Sequence, residues 1–407
     1  MIPEYLSAQH LSTPQIESIR VRNFRLLRDV NVKRLSSFAV FIGEHGTGKS
    51  TFFQVFAFLK DALENNVGIA LEKMGGYKAV AGRGHTDEPI IIKLRFKMPI
   101  AGKKRPVTYY LEIGNAKDNK PVVLRECLSY PLNGSPFYLM EFKQGNGYVI
   151  RGNDGSNESD KDMTKTKESL GAPDTLAIKG LGQFKQYKVA STLRQIIENW
   201  RTFDFDITAA RQMVKAGGYA EHLSMTGDNL PLVVQYLYNN KRDAFDYILK
   251  EFQERIPGMS KVEAFQTEDR YVQLRFWDKN FSEPFWVRDM SNGTVKLFTY
   301  LVLLYDPKPY PFLCVEEPEN QLYPNLMPIL TEEFRDYARR GGQMLVSTRS
   351  PDFMNQVEPE EAYLMKKKDG ESQIYPLSQN EEIVSSIECG DELGYMWRQG
   401  LLECETE

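Results

Sequence analysis

The stretch GEHGTGKST, residues 43–51, has the residue types and spacing of a loop that binds phosphate. In the pattern G-x-x-x-x-G-K-[ST], glycines let backbone N–H groups converge on phosphate oxygens, the lysine reaches the β- and γ-phosphates, and the hydroxyl holds Mg²⁺. The fixed positions are occupied by Gly43, Gly48, Lys49 and Ser50. The remaining loop residues are Glu44, His45, Gly46, Thr47 and Thr51. Without phosphate, we expect Lys49 to have no buried partner.

Such a loop needs a strand before it and a helix after it, so that the helix N-terminus points at the anion. The apolar run FAVFI, residues 38–42, suits a buried parallel strand. The following TFFQVFAFLKDALE has apolar residues at helical spacing, namely Phe52, Phe56, Leu59 and Leu63. The sequence therefore predicts a strand, loop and helix that together position a phosphate.

Two adjacent carboxylates, Glu316 and Glu317, follow the hydrophobic run at residues 312–315. One could help to hold hydrated Mg²⁺, and the other could polarise an attacking water. The alternative is a solvated acidic turn. An amphipathic helix follows, with Leu326, Leu330, Phe334 and Tyr337 on one face, and then a second apolar strand, QMLVST. The pattern predicts a β-α-β unit, with the carboxylates and Ser347 to Arg349 at the carboxyl edge of its sheet.

Length and composition limit what these motifs can belong to. A chain of 407 residues, 42% of them hydrophobic, can bury a large core in two or three lobes. The four cysteines are scattered without C-x-x-C spacing, which disfavours a disulfide framework or a structural zinc site. The net charge of −4 gives no overall reason to bind nucleic acid. Without an apolar run of membrane-spanning length or a secretory signal, we expect a cytoplasmic protein with no membrane partner.

The chain is predicted to contain four segments. Residues 1–150 carry the phosphate loop and then several β-strands, such as IIIKLRFKM and VTYYLEIG, which indicate an antiparallel β-layer. Residues 151–172 are polar and are predicted to be a linker. Residues 173–300 have helical periodicity and predict a helical lobe, and residues 301–407 carry the paired carboxylates and the second strand.

The stretch VRDMSNGTVK, between the helical lobe and the carboxylates, resembles the signature motif of ABC-type ATPases. The phosphate loop, this motif, CVEEPEN and VSTRSPDF occur in the order found in the RecF/SMC/OLD-like group of ABC-type AAA ATPases, which the chain resembles over nearly its whole length. The resemblance implies an α/β fold: a P-loop NTPase head of ABC type, with a mixed central sheet, an antiparallel β-layer and a helical signature lobe.

The resemblance also implies roles for individual residues. Residues 43–51 would bind ATP, Ser50 and Glu316 would serve Mg²⁺, and Glu317 would be the catalytic carboxylate, with Lys49 and Arg349 as further catalytic residues. Two heads of this group sandwich two ATP molecules. The signature residues Ser291, Asn292 and Gly293 would therefore contact the nucleotide held by a second subunit.

Several positions depart from the pattern of the group. Glu316 replaces the usual aspartate, Tyr323 replaces the histidine of the LHP motif, and Arg349 replaces the switch histidine. Because arginine does not lose its proton near neutral pH, Arg349 could neutralise phosphate charge but could not shuttle a proton, and we expect slow turnover. Residues 57–142 contain no glutamine to serve as the Q-loop residue, and His85 is the residue to consider in that loop.

We expect an ATP-dependent homo-oligomer, with the ATP-sandwich dimer as its smallest unit, that controls a separate effector protein in prokaryotic antiphage defence. Few residues follow the second strand, so a further nuclease domain would not fit there, and we expect that this chain is not itself a nuclease. The effector is therefore expected to be a separate protein, such as a nuclease. Two alternatives stay open. One is a RecF-like repair or recombination ATPase that binds DNA, and the other is a scaffold that binds ATP without hydrolysing it.

Overall fold

The computed structural model describes residues 14–100, 103–116, 120–151 and 164–403. Within these residues the chain divides into two compact units. The N-terminal unit comprises residues 14–200 and 359–384, and the C-terminal unit comprises residues 201–358 and 385–403. In the part of the chain that is described, no helix is long and apolar enough to span a bilayer.

The N-terminal unit opens with the elements that carry the phosphate loop. In chain order they are β1 (Ile16–Phe24), β2 (Leu27–Val32), β3 (Phe38–Ile42), α1 (Lys49–Glu64), α2 (Val67–Lys73) and α3 (Tyr77–Val80). All five residues of β3 are buried. The predicted apolar face of α1 is also buried. The strand and helix predicted on either side of the loop are therefore confirmed.

The predicted antiparallel β-layer is an eight-stranded sheet with the order β2-β1-β4-β5-β6-β7-β8-β9. Its further strands are β4 (Ile90–Ile100), β5 (Lys103–Asn115), β6 (Pro121–Leu132), β7 (Ser135–Lys143), β8 (Asn146–Arg151) and β9 (Thr164–Ser169). Side chains alternate between the two faces, as in β4, where Ile92 and Leu94 are buried and Lys93 and Arg95 are exposed. One face therefore packs on the core, and the other faces solvent.

The polar tract at 151–172 differs in part from the predicted linker. Residues 152–163 lie outside the described residues. Thr164–Ser169 form β9, which pairs with β8 in antiparallel register, with Tyr148 opposite Lys167. An edge strand in a sheet with one solvated face needs few apolar side chains, because its main-chain hydrogen bonds do not depend on them. Because residues 164–169 are mostly polar, their hydrophobicity pattern does not predict the strand β9.

Two helices follow in the N-terminal unit, α4 (Ala177–Leu181) and α5 (Lys188–Glu198). The chain then enters the C-terminal unit through β10 (Trp200–Phe203), α6 (Ile207–Ala210), β11 (Val214–Lys215), α7 (Leu230–Asn240), α8 (Arg242–Arg255), β12 (Met259–Gln266), β13 (Tyr271–Asp278) and β14 (Phe285–Trp286). The predicted helices are present. The lobe also contains a small antiparallel sheet, β11-β13-β12 with β14 on β13, which the sequence prediction missed although YVQLRFWD alternates with period two.

The remaining elements of the C-terminal unit form the predicted β-α-β unit. They are α9 (Asn292–Leu304), β15 (Phe312–Glu316), α10 (Met327–Arg339), β16 (Gln343–Thr348) and α11 (Pro351–Met354). Strands β15 and β16 are parallel, with Glu316 opposite Ser347. Their carboxyl ends therefore lie side by side, as the sequence predicts.

The chain then returns to the N-terminal unit in the hairpin β17 (Ala362–Lys368) and β18 (Glu371–Pro376). Helix α12 (Glu381–Glu388) spans the boundary between the units at residue 385, and α13 (Leu393–Arg398) belongs to the C-terminal unit. Strand β17 runs parallel to β3 and antiparallel to β18. The sheet that carries the phosphate loop is therefore mixed. The predicted α/β fold class, with its mixed sheet, antiparallel layer and helical lobe, is confirmed.

Candidate functional site

The loop after β3 has the backbone of a phosphate cradle. Gly46 and Gly48 have φ values of +77° and +100°, which L side chains rarely adopt. Gly48 is the N-cap of α1 and places no side chain over the first turn of the helix. No side chain therefore caps the positive end of the dipole of α1, which suits an anion.

The side chain of Lys49 folds back onto the main chain of the loop. Its side chain is buried, and Nζ donates to the carbonyl oxygens of Gly43 at 2.5 Å and Glu44 at 2.9 Å. Thr47 Oγ1 donates to the same Glu44 carbonyl at 2.9 Å. The expectation that Lys49 has no buried partner in the absence of phosphate is therefore wrong. The loop's own carbonyl oxygens accept from Lys49, because a buried ammonium group needs acceptors.

The other loop residues divide by exposure. Glu44, His45, Gly46 and Ser50 are exposed, whereas Gly43, Thr47 and Gly48 are buried and Thr51 is half-buried. The hairpin β17–β18 packs so closely on the loop that a Cβ on Gly43 would lie 2.6 Å from the carbonyl oxygen of Met365. A Cβ on Gly48 would collide with Ser372 Oγ. Both fixed glycines are thus required by packing, and Gly48 is also required by its φ of +100°.

In the C-terminal unit, the chain turns sharply after β15 at Glu317, whose φ is +41°. Strained backbone at a non-glycine residue persists where surrounding contacts fix it. Here Glu317 N donates to Ser347 O at 2.9 Å, and Asn320 Nδ2 donates to Glu317 Oε2 at 3.0 Å. Arg349 Nη2 lies 3.3 Å from the same oxygen. The turn therefore fixes one carboxylate oxygen of Glu317 between an amide and a guanidinium group.

Glu319 lies in the same turn and was not singled out in the sequence. Its Oε1 accepts from Thr348 Oγ1 at 2.7 Å and from Arg349 N at 3.1 Å. Its Oε2 is buried and has no hydrogen-bond partner within the described part of the chain. Burial raises the pKa of this carboxyl above its usual range. Glu319 therefore ties the ends of β15 and β16 together.

The signature residues begin helix α9. Ser291 is the N-cap, and its Oγ accepts from Thr294 N at 3.1 Å. The side chains of Ser291 and Asn292 are exposed, whereas Gly293 packs closely against Leu322, Tyr323 and Leu326. Ser291 thus caps the helix, and both Ser291 and Asn292 are exposed at the start of a thirteen-residue helix.

A buried lysine connects this helix to the carboxylate turn. Lys296 is 2% exposed, and its Nζ donates to the carbonyl oxygen of Asn320 at 2.7 Å. Burial lowers the pKa of Lys296 to about 8, although the nearby carboxylates of Glu319 and Glu317 oppose the shift. A lone charge in the apolar run TVKLFTYLVLL was the signal in the sequence. The start of α9, Asn320 and Glu317 thus form one hydrogen-bonded chain.

His85 lies in the loop between α3 and β4. Its Nδ1 is 2.9 Å from Glu88 Oε1, which also pairs with Arg28 at 2.6 Å. Asn23 fixes the main chain of this loop by donating from Nδ2 to the carbonyl oxygens of His85 and Glu88. These hydrogen bonds and ion pairs hold the loop in place, and they do not identify a Q-loop residue.

The metal-binding prediction rests on Ser50 and Glu316. No group of three or more His, Cys, Asp or Glu side chains in the described residues could hold a metal by itself. Mg²⁺ commonly takes one or two protein oxygens and completes its shell with water and substrate phosphates. Ser50 is exposed in the phosphate loop of the N-terminal unit, and Glu316 ends β15 in the C-terminal unit, so their joint role at a metal ion stays a prediction.

Together, the fold and these motifs define an ABC-type P-loop ATPase domain. Residues 140–355 match the family described as "AAA domain, putative AbiEii toxin, Type IV TA system", a match that covers more than half of the chain. The chain belongs to this family. The matched region contains the signature helix, the paired carboxylates and Arg349 and begins after the phosphate loop. The sequence matches no curated protein.

Solved structures of SMC heads resemble the chain remotely. One, an SMC head bound to the C-winged helix domain of ScpA, is 14% identical, with 88% of this chain and 96% of that chain covered and a TM-score of 0.49. The SMC head domain from Thermotoga maritima is 13% identical, with 89% and 98% covered and a TM-score of 0.43. The Smc head from Pyrococcus furiosus, bound to the C-terminal domain of ScpA, is 13% identical, with 92% and 100% covered and a TM-score of 0.46.

Proposed function

We propose that this chain binds ATP with Mg²⁺, hydrolyses it slowly, dimerises on ATP and uses that cycle to control a partner protein. The observation that carries the proposal is the phosphate loop itself. An uncapped N-terminus of α1 follows two glycines at positive φ, and Lys49 donates to carbonyl oxygens at the position where phosphate oxygens would replace them.

Binding would proceed by exchange of acceptors. Phosphate oxygens would take the ammonium group of Lys49 from the carbonyl oxygens of Gly43 and Glu44, and the loop amides would donate to the same phosphate. Ser50 and Glu316 would hold Mg²⁺, which supplies charge neutralisation at the β- and γ-phosphates. A charge-assisted contact with a fully charged phosphate is stronger than one with a neutral carbonyl, so the exchange favours the nucleotide.

Hydrolysis is assigned to Glu317. Its carboxylate would accept a proton from the attacking water, and its orientation is fixed by Asn320 and by the turn at positive φ. Arg349 has the charge to neutralise negative charge on the transferred phosphoryl group, but it also pairs with Glu317. That pairing occupies a carboxylate oxygen of Glu317 that would otherwise be available to the attacking water, which supports slow turnover.

Dimerisation is supported by the start of α9. Ser291 and Asn292 are exposed at a helix N-terminus, and the neighbouring Tyr323 is 65% exposed. In the proposal, these residues contact the γ-phosphate of a nucleotide bound by a second copy of the chain, so that ATP joins the two subunits.

The partner is proposed to be a separate effector protein, such as a nuclease, in prokaryotic antiphage defence. The family description names a putative toxin of a type IV toxin–antitoxin system. That description supports a chain that acts together with another protein. Co-purification from the native host with the products of neighbouring genes tests this part, and the absence of any bound protein in both ATP and ADP would contradict it.

A second candidate function, DNA binding, is favoured by the solvent face of the antiparallel sheet. Basic and aromatic side chains alternate across its strands: Arg20, Lys93, Arg95, Lys97, Tyr110, Arg125, Tyr138, Tyr148, Lys165 and Lys167. Acidic neighbours such as Asp29 and Glu141 neutralise part of this charge. An affinity for duplex DNA that falls steeply between 50 and 200 mM salt, and that Lys93→Glu with Lys97→Glu removes, would support this function.

Phosphate release tests the proposal as a whole. The wild type should release phosphate from MgATP, and Glu317→Gln should not, because an amide keeps the shape of the side chain but cannot act as a base. The same variant should elute as a dimer with ATP, since the closed state accumulates. Glu254→Gln, at an exposed position on α8, is the matched control and should behave as wild type. A wild type that binds ATP without releasing phosphate would instead indicate the scaffold.

A further inference from the structure

Ser372 has a buried hydroxyl beside the phosphate loop. The residue is 3% exposed and lies in β18. Its main-chain N–H donates to Leu26 O at 2.8 Å, but its Oγ has no hydrogen-bond partner among the described residues. A buried hydroxyl without a partner reduces stability, so its presence needs a reason.

The hydroxyl packs against the main chain of the loop. A Cβ on Gly48 would collide with Ser372 Oγ and would lie 3.2 Å from Ser372 Cβ. Gly48 is also the point at which the loop becomes helix α1, with φ of +100°. The unpartnered oxygen therefore lies beside Gly48, whose two peptide groups set the direction of the amides at the start of α1.

In the loop, Lys49 donates to the carbonyl oxygens of Gly43 and Glu44. A triphosphate would draw Lys49 and the amides toward its oxygens, and the peptide groups of the loop would reorient. A polar atom that lacks a partner before this change is suited to gain one after it.

We propose that Ser372 is a positioning residue for the phosphate loop. Its hydroxyl hydrogen-bonds to the main chain at Gly48 when the triphosphate is bound and holds the loop in its phosphate-binding conformation. The inference rests on the proposed function, since it requires that the loop bind a nucleotide. It adds a contribution from the hairpin β17–β18, which lies more than 300 residues beyond the loop in the sequence.

Opposite effects on two measurements distinguish this role from simple packing. Ser372→Ala removes an unsatisfied hydroxyl, so the melting temperature of the nucleotide-free protein should stay the same or rise. The same substitution removes a hydrogen bond that exists only in the bound state, so the Kd for MgATP should rise about 3- to 10-fold. If Ser372 served only packing, its substitution would not raise the Kd for MgATP while leaving the melting temperature unchanged or higher.

Calorimetry with MgATP tests the inference in the full-length chain carrying Glu317→Gln, which prevents turnover. Ser372→Cys keeps a weak donor of similar size and should bind with intermediate affinity. Ser129→Ala is the matched control, because Ser129 is a buried serine in β6 of the antiparallel sheet, and its Kd should not change.

Three outcomes would overturn the inference. Equal Kd values for the Glu317→Gln chain with and without Ser372→Ala would do so while leaving the proposed function intact. A lower melting temperature for nucleotide-free Ser372→Ala, with an unchanged Kd, would assign Ser372 a packing role only. Failure of both the wild type and the Glu317→Gln chain to bind MgATP would overturn the inference together with the proposed function.

Discussion

Arg349 Nη2 lies 3.3 Å from Glu317 Oε2, so the residue that follows β16 pairs with the carboxylate that follows β15. In the resembled ATPase group, a histidine occupies the position of Arg349. An arginine there keeps its charge at every physiological pH. The position that a histidine occupies in that group is therefore always charged in this chain, and it is paired with Glu317.

We expect Arg349→Ala to lower kcat about 100-fold, the loss typical of removing one group that stabilises transition-state charge. The melting temperature should change little, because both side chains are partly exposed and such pairs contribute at most about 1 kcal/mol. Arg349→His should regain activity only where the imidazole is charged, so that activity falls as pH rises through about 6.5. Wild-type turnover by Arg349→Ala, or a flat pH profile for Arg349→His, would contradict this role.

Lys49→Ala should have two separable effects. Loss of the charged contact should weaken ATP binding at least about 100-fold, measured by calorimetry. The nucleotide-free protein should also become less stable by about 1–3 kcal/mol, because the carbonyl oxygens of Gly43 and Glu44 lose a charged donor. Lys250→Ala on the exposed face of α8 is the control for loss of a lysine charge. Unchanged ATP affinity would contradict the proposal that the phosphate loop binds ATP.

Asn320→Ala should lower kcat about tenfold while leaving the KM for ATP unchanged, since Asn320 orients Glu317 and is not proposed to touch the nucleotide. Asn280→Ala is a close control, because Asn280 Nδ2 also donates to a carboxylate, Asp278, in an exposed turn of the same unit. Steady-state phosphate release measures both variants. A change confined to KM would place Asn320 in nucleotide binding instead.

Glu126 should make stability depend on pH. It is fully buried in β6, where it accepts from Tyr109 Oη at 3.1 Å and from Ile178 N at 3.1 Å, and burial raises its pKa to about 7. The folded state then binds more protons than the unfolded state between about pH 4.5 and 7. The stability of the wild type relative to Glu126→Gln should therefore fall as pH rises through this window, by up to about 1.4 kcal/mol per pH unit.

Urea unfolding at several pH values measures this difference. A difference in free energy of unfolding that stays constant from pH 4.5 to 7 would show that Glu126 does not titrate differently in the two states.

The sequence predicted the elements whose signals are local. The glycine pattern at residues 43–48 lies between an apolar run and a helical period, and the carboxylates of EEPEN begin at the last residue of a strand of only five residues. In each case, neighbouring residues determine the conformation. The β-α-β unit was predictable for the same reason.

What the sequence did not predict depends on contacts between distant segments. The contact between Ser372 and Gly48 arises from the register of β17 and β18, which no local pattern encodes. The bond from Lys296 to Asn320 depends on how α9 packs on the carboxylate turn. The bonds from Lys49 to the carbonyl oxygens of Gly43 and Glu44 depend on how the loop folds around the lysine, which the spacing of the motif does not specify.

ATP hydrolysis by Ser291→Arg, alone and mixed with Lys49→Ala, tests the central claim most directly. The claim is that each active site combines the phosphate loop of one copy with the start of α9 of another. A bulky cation at Ser291 should block that contact, and the exposed cap position should tolerate it without unfolding.

Each variant alone should be nearly inactive. Because random pairing gives about half heterodimers, each with one intact site, the mixture should recover about a quarter of wild-type phosphate release. Circular dichroism and the melting temperature of Ser291→Arg confirm that the variant is folded. A folded Ser291→Arg protein that hydrolyses ATP at the wild-type rate by itself would contradict the shared active site.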